Sequence, residues 1–171
     1  MESISGEAAR SVEERVAALE AIERIKTVKH RYLRACDRKD AEAFRACFVA
    51  EGAVLDYGPL GAFEGAAALT EVFKRIALGR DGDGRYIVLD MHHAANPVIE
   101  LLGEGRAEGA WSLRFRQVDR VARTEKVSAI EYDDRYELED GRWRIRSSRV
   151  TVLWEMVRPL PEGTSFQGSH A

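Results

Sequence analysis

Cysteine is scarce in this sequence, and a long apolar run is absent. The 171 residues include only two cysteines, Cys36 and Cys47, which are too few for a disulfide framework and too far apart for a CxxC motif. No apolar run approaches the roughly 18–20 residues that a transmembrane helix requires. The acidic N-terminal segment also lacks the apolar centre of a secretion signal. We therefore expect a reduced, cytoplasmic protein that has no membrane partner.

A strong charge of one sign is missing as well. The chain carries 26 lysines and arginines against 29 aspartates and glutamates, a formal net charge of −3, which argues against nucleic acid as the main partner. Glycine-rich phosphate loops, HExxH, paired Cys/His spacings and GxSxG are all absent. The acidic loop at 81–84 lacks the remaining ligands of a calcium loop. We expect neither a cofactor nor a bound metal ion.

Length and composition predict one globular domain. Apolar residues make up 45% of the chain, enough to bury a core in a domain of this size. We place the domain at residues 12–158, after a flexible N-terminal arm (1–11) and before a loose C-terminal tail (159–171) that is rich in proline, glycine and serine.

The first part of the domain shows helical periodicity. Apolar residues recur every three or four positions from Val12 to Cys36, which predicts a long amphipathic helix. This helix is expected to stop near residues 37–40, where Asp40 can cap a short second helix. A strand is predicted at 53–57, and a third helix after Gly65.

Beyond the glycine-rich loop, the period changes from 3.6 to 2. Alternating apolar and polar residues predict antiparallel strands within 86–101, 106–116, 127–138 and 142–154. Three helices followed by these strands indicate an α+β fold whose helices lie on one face of the sheet.

Two charged residues alternate in phase with apolar ones on the last strands. Arg149 shares the parity of Trp143 and Ile145, so it is expected to point inward. On the preceding strand, Asp134 has the same inward parity. A buried guanidinium without a partner is very costly. Either Asp134 and Arg149 satisfy each other, or one or both line a ligand cavity.

Asp37 and Tyr32 stand out near the end of the first helix. A carboxylate at a helix C-terminus faces the negative end of the helix dipole, so Asp37 either serves chemistry or starts the turn into the next helix. Tyr32 lies on the apolar stripe, where the default interpretation is a packed aromatic ring whose hydroxyl needs one partner.

His92 and His93 are the only adjacent histidines, and imidazole is the side chain best suited to move protons near neutral pH. Neighbours on a strand point to opposite faces, so at most one faces a cavity. Alternation with Leu89, Met91 and Ile99 favours His93. A bulge or bend near Asn96 would reverse the choice to His92.

The order of these segments resembles the SnoaL-like proteins of the nuclear transport factor 2 superfamily, which includes scytalone dehydratase, ketosteroid isomerase and bile-acid 7α-dehydratases. The resemblance extends over roughly residues 15–155 and rests on 31–40, 51–56, 63–65, 92–100, 132–136 and 140–145. It implies a curved antiparallel sheet wrapped as a cone around the long helix, with an apolar pocket at the open end.

The resemblance also implies site residues. In the dehydratase and dehydrochlorinase branches, a tyrosine and an aspartate of the first helical segment face a histidine on the middle strand. Carried over, these are Tyr32, Asp37 and His92, with His93 in reserve, and the family's arginine on the last strand matches Arg149. Further residues expected at the substrate are His93, Tyr57, Phe63, Met91, Phe115, Asp134 and Trp154.

The function so implied is that of a cofactor-independent lyase, of dehydratase or dehydrohalogenase type, or of an isomerase. Its substrate would be a small apolar molecule activated by a carbonyl group or a halogen. Asp37 would orient His92 as the base, Tyr32 would hydrogen-bond the leaving group or enolate, and Arg149 would offset negative charge. The alternative is a non-catalytic module for small-molecule binding or oligomerisation.

A homo-oligomer, dimer or trimer, is also implied by the resemblance. It would form through the outer face of the sheet, where Trp111 or Trp154 supplies apolar contact unless either belongs to the core.

Overall fold

The computed structural model describes residues 10–168, so most of the expected N-terminal arm and the last three residues of the tail lie outside the described residues. Helix α1 runs from Val12 to Arg38 and begins with a capping box, in which the Ser11 side chain accepts from the Glu14 backbone N–H. It ends at Lys39, whose left-handed conformation (φ 62°) closes the last turn. The long amphipathic helix is thus confirmed.

Two shorter helices complete the helical layer. Helix α2 (Ala41–Arg45) begins at Asp40, whose side chain accepts from the Ala43 backbone N–H at 2.9 Å, as expected of a cap. Helix α3 (Ala66–Ala77) buries Leu69 and Phe73 against the core. None of the helices among residues 10–168 is long and apolar enough to cross a membrane.

Six strands form one curved sheet in the order β2-β1-β6-β5-β4-β3. The strands are β1 (Val54–Asp56), β2 (Ala62–Glu64), β3 (Val88–Gly103), β4 (Arg106–Asp119), β5 (Thr124–Glu139) and β6 (Arg142–Pro159). Four of the five strand pairings are antiparallel, as expected, but β1 pairs with β6 in parallel, so the sheet is mixed. The two are not joined by a hairpin, and nothing forces them to run in opposite directions. The α+β cone around α1 is confirmed.

A bulge in β3 decides which histidine points inward. Ala95 pairs with Ser112 and Val98 with Ala110, so β3 has one extra residue at this point, where Asn96 adopts φ 52°. On the N-terminal side of the bulge, His92 points toward the helices and His93 is exposed on the outer face. The simple alternation that favoured His93 is therefore wrong, and the bulge alternative holds.

A bulge in β6 likewise turns Arg149 outward. Arg135 pairs with Ser147 and Tyr136 with Ile145, which leaves Arg146 as the extra residue. Ile145 is buried, but beyond the bulge the inward positions become Ser148 and Val150. The prediction that Arg149 is buried is wrong, because one extra residue exchanges the two faces.

A second register shift in β6 affects Trp154. Ile130 pairs with Val152 and Ala129 with Trp154, so Leu153 is extra and Trp154 lies on the outer face with 56% of its surface exposed. Trp111, in contrast, is buried, and its indole N–H donates to the Tyr136 hydroxyl at 3.0 Å. Trp111 therefore belongs to the core rather than to an exposed sheet face.

The C-terminal segment follows β6 to Pro159, one residue beyond the expected domain boundary. After it, the Leu160 backbone N–H donates to the Arg123 carbonyl at 2.9 Å, and the Arg123 guanidinium donates to the Thr164 carbonyl at 2.9 Å. The described part of the tail thus contacts the turn between β4 and β5.

Candidate active site

A cavity of about 400 Å³ lies between the three helices and the inner face of β3 to β6. Its volume falls within the range of about 300–1,000 Å³ that is usual for small-molecule sites. Most of the wall is apolar and includes Phe44, Leu69, Phe73, Phe115, Ile130 and Val150. The polar groups are few, which makes their positions chemically informative.

Asp37 and His92 form a close pair at this cavity. Asp37 is in the last turn of α1, and its Oδ1 lies 2.6 Å from Nδ1 of His92 on β3. Its other carboxylate oxygen accepts the His92 backbone N–H at 3.3 Å. The imidazole also packs on the Phe115 ring, with 4.6 Å between ring centroids. The contact at Nδ1 and the Phe115 ring orient the imidazole, and the backbone contact ties Asp37 to β3.

This arrangement assigns different roles to the two ring nitrogens of His92. A carboxylate only accepts, so the neutral imidazole carries its proton on Nδ1 and has a lone pair on Nε2. Within residues 10–168, Nε2 has no hydrogen-bond partner, while the His92 side chain lines the cavity. Nε2 is thus the atom with which a cavity ligand can exchange a proton.

Three buried tyrosines line the same cavity. The Tyr57 hydroxyl donates to the Tyr32 hydroxyl at 3.0 Å, and the ring of Tyr132 contacts both rings edge-on. Burial raises the pKa of all three hydroxyls above the usual value. They therefore remain protonated near neutral pH and can serve as hydrogen-bond donors but not as bases.

A buried lysine supplies positive charge behind the tyrosines. Lys29 Nζ lies 3.4 Å from the centroid of the Tyr132 ring and 2.8 Å from Asp134 Oδ2. Asp134 also accepts from the hydroxyls of Tyr136 and Ser148, at 2.8 and 2.7 Å. Burial lowers the pKa of the Lys29 ammonium, and the neighbouring Asp134 carboxylate opposes that shift. Lys29 is thus a buried cation next to the tyrosines, and its charge is paired with Asp134.

A second buried ion pair adjoins His92. Asp90, two residues earlier on the same face of β3, contacts Lys39 Nζ and accepts from the Gln117 side-chain amide at 2.8 Å. Asp90 and Gln117 both line the cavity. The pair joins the end of α1, which carries Asp37, to the strand that carries His92.

One end of the cavity faces solvent. Lys126 and Glu155 lie 3.7 Å apart there, with side chains that are 33% and 42% exposed, and Ser128 donates to Glu155 at 3.0 Å. The three tyrosines that line the cavity are at most 7% exposed. The cavity therefore has a polar opening, and its tyrosines lie away from solvent.

Comparison with known proteins places the chain in a family. A family model described as a SnoaL-like domain matches residues 17–149, most of the chain. The chain belongs to the SnoaL-like family. Its helices and curved sheet have the nuclear transport factor 2-like α+β cone fold. No curated protein matches this SnoaL-like chain significantly.

Solved structures share the fold at low sequence identity. A hexachlorocyclohexane dehydrochlorinase, LinA type 2, is 16% identical, with a TM-score of 0.69 over 94% of this chain and 100% of its own. A candidate scytalone dehydratase from Novosphingobium aromaticivorans is 21% identical, with a TM-score of 0.69 over 91% and 100%. ActVI-ORFA from Streptomyces coelicolor is 16% identical, with a TM-score of 0.62 over 77% and 96%.

The structure brings some of the expected site residues of this SnoaL-like chain together and separates others. Tyr32, Tyr57, His92 and Phe115 line the cavity, and Asp37 contacts His92 from behind. Asp134 is buried as its parity predicts, but it pairs with Lys29 away from the cavity lining.

The remaining expected residues do not line the cavity. Phe63 is half-buried and packs against the core instead. Met91 and His93 fall on the outer face of β3, before its bulge, and Trp154 is turned outward by the second shift in β6. Arg149 is a surface residue 4.0 Å from Asp56 and has no access to the site.

Residues that the sequence reasoning missed share one property: each is a charged or polar residue at a position in phase with an apolar stripe. Lys29 lies between Ile25 and Tyr32 on the buried face of α1. Asp90 shares the inward parity of His92. If the charged residues in phase with each apolar face had been treated as candidates for burial, Lys29 and Asp90 could both have been predicted.

Proposed function

We propose that this protein is a cofactor-independent lyase or isomerase in which His92 removes a proton from carbon. The observation that carries the proposal is the 2.6 Å contact between Asp37 Oδ1 and His92 Nδ1 at the wall of an otherwise apolar cavity. A positioned base of this kind contributes about 10²–10⁴-fold to a proton transfer.

In the proposed reaction, Nε2 of His92 takes the proton from a carbon next to a carbonyl group or a halogen-bearing carbon. Asp37 stabilises the imidazolium that forms, because its carboxylate already accepts from Nδ1. The C–H electron pair becomes the new double bond of an alkene or enolate. The mainly apolar wall of the cavity would strengthen the electrostatic stabilisation.

The tyrosine hydroxyls would stabilise the negative charge that develops on an enolate oxygen or on the leaving group. Tyr32 is the available donor of this pair, because the Tyr57 hydroxyl already donates to the Tyr32 hydroxyl. Tyr32 would hydrogen-bond an enolate oxygen or a leaving hydroxyl, which leaves as water after it receives the proton held by His92. A halide would leave as the anion, and His92 would then release its proton to solvent. Arg149 has no part in this scheme.

The substrate class follows from the same cavity. Its volume of about 400 Å³ and aromatic walls favour a small apolar molecule that enters past Lys126 and Glu155. The dehydrochlorinase and dehydratase named among the similar folds act on substrates that their names place in this class. We include a cytoplasmic location in the proposal, since both cysteines are buried free thiols.

We also propose that the protein is a homo-oligomer. Met91, Trp154 and Met156 are apolar side chains exposed on the outer face of the sheet. Met91 and Met156 belong to one cross-strand row through Arg116 and Val127. An exposed apolar patch on a sheet face favours contact with another protein surface.

The activity can be tested with hexachlorocyclohexane and scytalone as probes, measuring chloride release and loss of water. We expect turnover by the wild type and a loss of about 10²–10⁴-fold in kcat/KM for His92→Ala and Asp37→Asn. His93→Ala is the matched control, because this neighbouring histidine faces outward, and it should retain activity. Thermal stabilisation by either probe without turnover would instead support the non-catalytic binding module.

A further inference from the structure

A second and larger cavity, of about 810 Å³, lies on a neighbouring face of α1, where α1 meets α2 and the hairpin between β5 and β6. We call it the arginine groove, because it is lined by Arg24, Arg31, Arg34, Arg38, Arg142 and Arg144. In a chain whose net charge is −3, this is a strong local concentration of positive charge. Of the described residues that line the groove, Asp40 alone carries a carboxylate.

The arginines of α1 are placed against the intrinsic preference of a helix. Arg31, Arg34 and Arg38 follow one another at spacings of three and four residues, so their side chains are neighbours and repel each other. No carboxylate stands three or four residues from Arg31 in the sequence, and Glu42, four residues after Arg38, belongs to α2 rather than to α1. Asp37 follows Arg34 by three residues but is engaged by His92. An anion in the groove would relieve this repulsion.

Most of these charges lack a partner within the protein. Among residues 10–168, no ion pair involves Arg31, Arg34, Arg38 or Arg142. The one carboxylate in the lining, Asp40, accepts the Ala43 backbone N–H as the cap of α2. Four guanidinium groups are therefore free to bind an external anion.

The other two arginines are held in place at the ends of the groove. Arg144 lies 2.9 Å from Glu139 and donates to the Ala46 carbonyl at 2.5 Å. Arg24 pairs with Glu20 at 3.4 Å.

The floor of the groove is apolar and includes an aromatic ring. Val28, Ala35, Cys47 and the half-buried Trp143 lie between the arginines. Burial raises the pKa of the Cys47 thiol to about 11, and the charge of Arg31 is the largest influence opposing that shift. The positive charge of Arg31 therefore acts on the floor of the groove at Cys47.

We propose that the arginine groove binds a small organic polyphosphate, a molecule with two or more linked phosphate groups and a flat apolar body, such as a nucleoside diphosphate. Arginine binds phosphate oxygens through two parallel hydrogen bonds. A ligand with a single carboxylate could not pair with all four unpaired arginines of the groove. The Trp143 ring offers a stacking surface for the flat body. The site is separate from the cavity of His92 and does not depend on the proposed reaction.

Acidic residues around the groove favour a small ligand over a nucleic-acid strand. Glu20 pairs with Arg24 at one end, and the exposed Glu42 and Asp140 adjoin the lining residues Ala43 and Gly141. A polyanion long enough to extend beyond the groove would meet these carboxylates, whereas a molecule contained within about 810 Å³ would not.

The test is isothermal titration calorimetry of the full-length protein with ADP, pyrophosphate and adenosine. We expect one ADP per chain, weaker binding of pyrophosphate, which lacks the flat body, and no binding of adenosine. Arg34→Gln/Arg142→Gln should weaken ADP binding by about tenfold or more. Arg15→Gln/Arg75→Gln removes the same charge from exposed helix arginines outside the groove and should change the affinity by less than about threefold.

Each contrary result overturns the proposal in a different way. If neither ADP nor pyrophosphate gives a heat of binding, the groove is not a phosphate-binding site. Equal weakening by the two double variants means that binding reflects overall charge. Binding of adenosine as tight as that of ADP rules out the phosphate contacts. A single-stranded oligonucleotide that binds more tightly than ADP and competes with it identifies a nucleic-acid surface instead. Circular dichroism establishes that both variants are folded.

Discussion

Lys39 and Asp90 form a buried ion pair that joins the end of α1 to β3 next to the proposed base. Their side chains are 1% and 6% exposed. Lys39 is the left-handed residue that closes α1, two residues after Asp37, and Asp90 lies two residues before His92. The pair therefore holds together the two elements from which Asp37 and His92 extend. We expect loss of this pair to affect the 2.6 Å contact between Asp37 and His92.

Removal of one partner should be strongly destabilising. Lys39→Met leaves the Asp90 carboxylate buried without its cation, and we expect the free energy of unfolding in urea to fall by about 3–5 kcal/mol. In Lys39→Met/Asp90→Asn the uncompensated charge is gone, so the double variant should recover part of that loss. A fall of less than about 1 kcal/mol for the single variant would mean that the pair contributes little.

More of the fold of this protein than of its candidate site could be predicted from the sequence. Helical periodicity over α1 and alternation over β4 and β5 depend on local burial, which the sequence displays directly. The direction of Arg149 could not be obtained in that way, because it depends on a bulge at Arg146 set by pairing with β5. Similarly, Lys29 is buried because of Asp134, which is 105 residues away in the chain.

The same contrast yields a prediction about two cations. Arg149→Ala removes an exposed contact of 4.0 Å with Asp56, and the unfolding free energy should change by no more than about 0.5 kcal/mol. Lys29→Met leaves the carboxylate of Asp134 without the cation that pairs with it, and we expect a loss of about 3–5 kcal/mol. Equilibrium urea unfolding of the two variants measures both. A large loss of unfolding free energy for Arg149→Ala would mean that Arg149 is buried, as alternation alone predicts.

Stability should fall in alkaline solution because of the buried tyrosines. Burial raises the pKa of four hydroxyls, those of Tyr32, Tyr57, Tyr132 and Tyr136, in the folded protein. Above about pH 10 the unfolded chain loses these protons while the folded protein keeps them. The unfolded state then binds fewer protons, so the free energy of unfolding decreases as the pH rises.

A tyrosine variant isolates this effect. Tyr57→Phe removes one such group, so the slope of the unfolding free energy against pH above about 10 should become shallower by about 1.4 kcal/mol per pH unit. Lys29 acts in the opposite direction, since its pKa is lowered in the folded protein and its contribution to stability increases toward alkaline pH. Urea unfolding at a series of pH values measures the slope. Parallel curves for the wild type and Tyr57→Phe would show that Tyr57 does not contribute to it.

Close packing around Gly109 leads to the last prediction. A Cβ atom at this position would lie 3.0 Å from Tyr136 Cε2 and 3.4 Å from the Trp111 indole nitrogen. Tyr136 is buried and donates to Asp134, so its ring cannot move without loss of the 2.8 Å hydrogen bond to that carboxylate. We expect Gly109→Ala to lower the unfolding free energy by about 1–3 kcal/mol. Gly82→Ala is the control, because a Cβ there meets no atom within 4 Å, and it should leave the unfolding free energy unchanged or slightly higher. Equal stability of the two variants would mean that the sheet relaxes around Tyr136 at little cost.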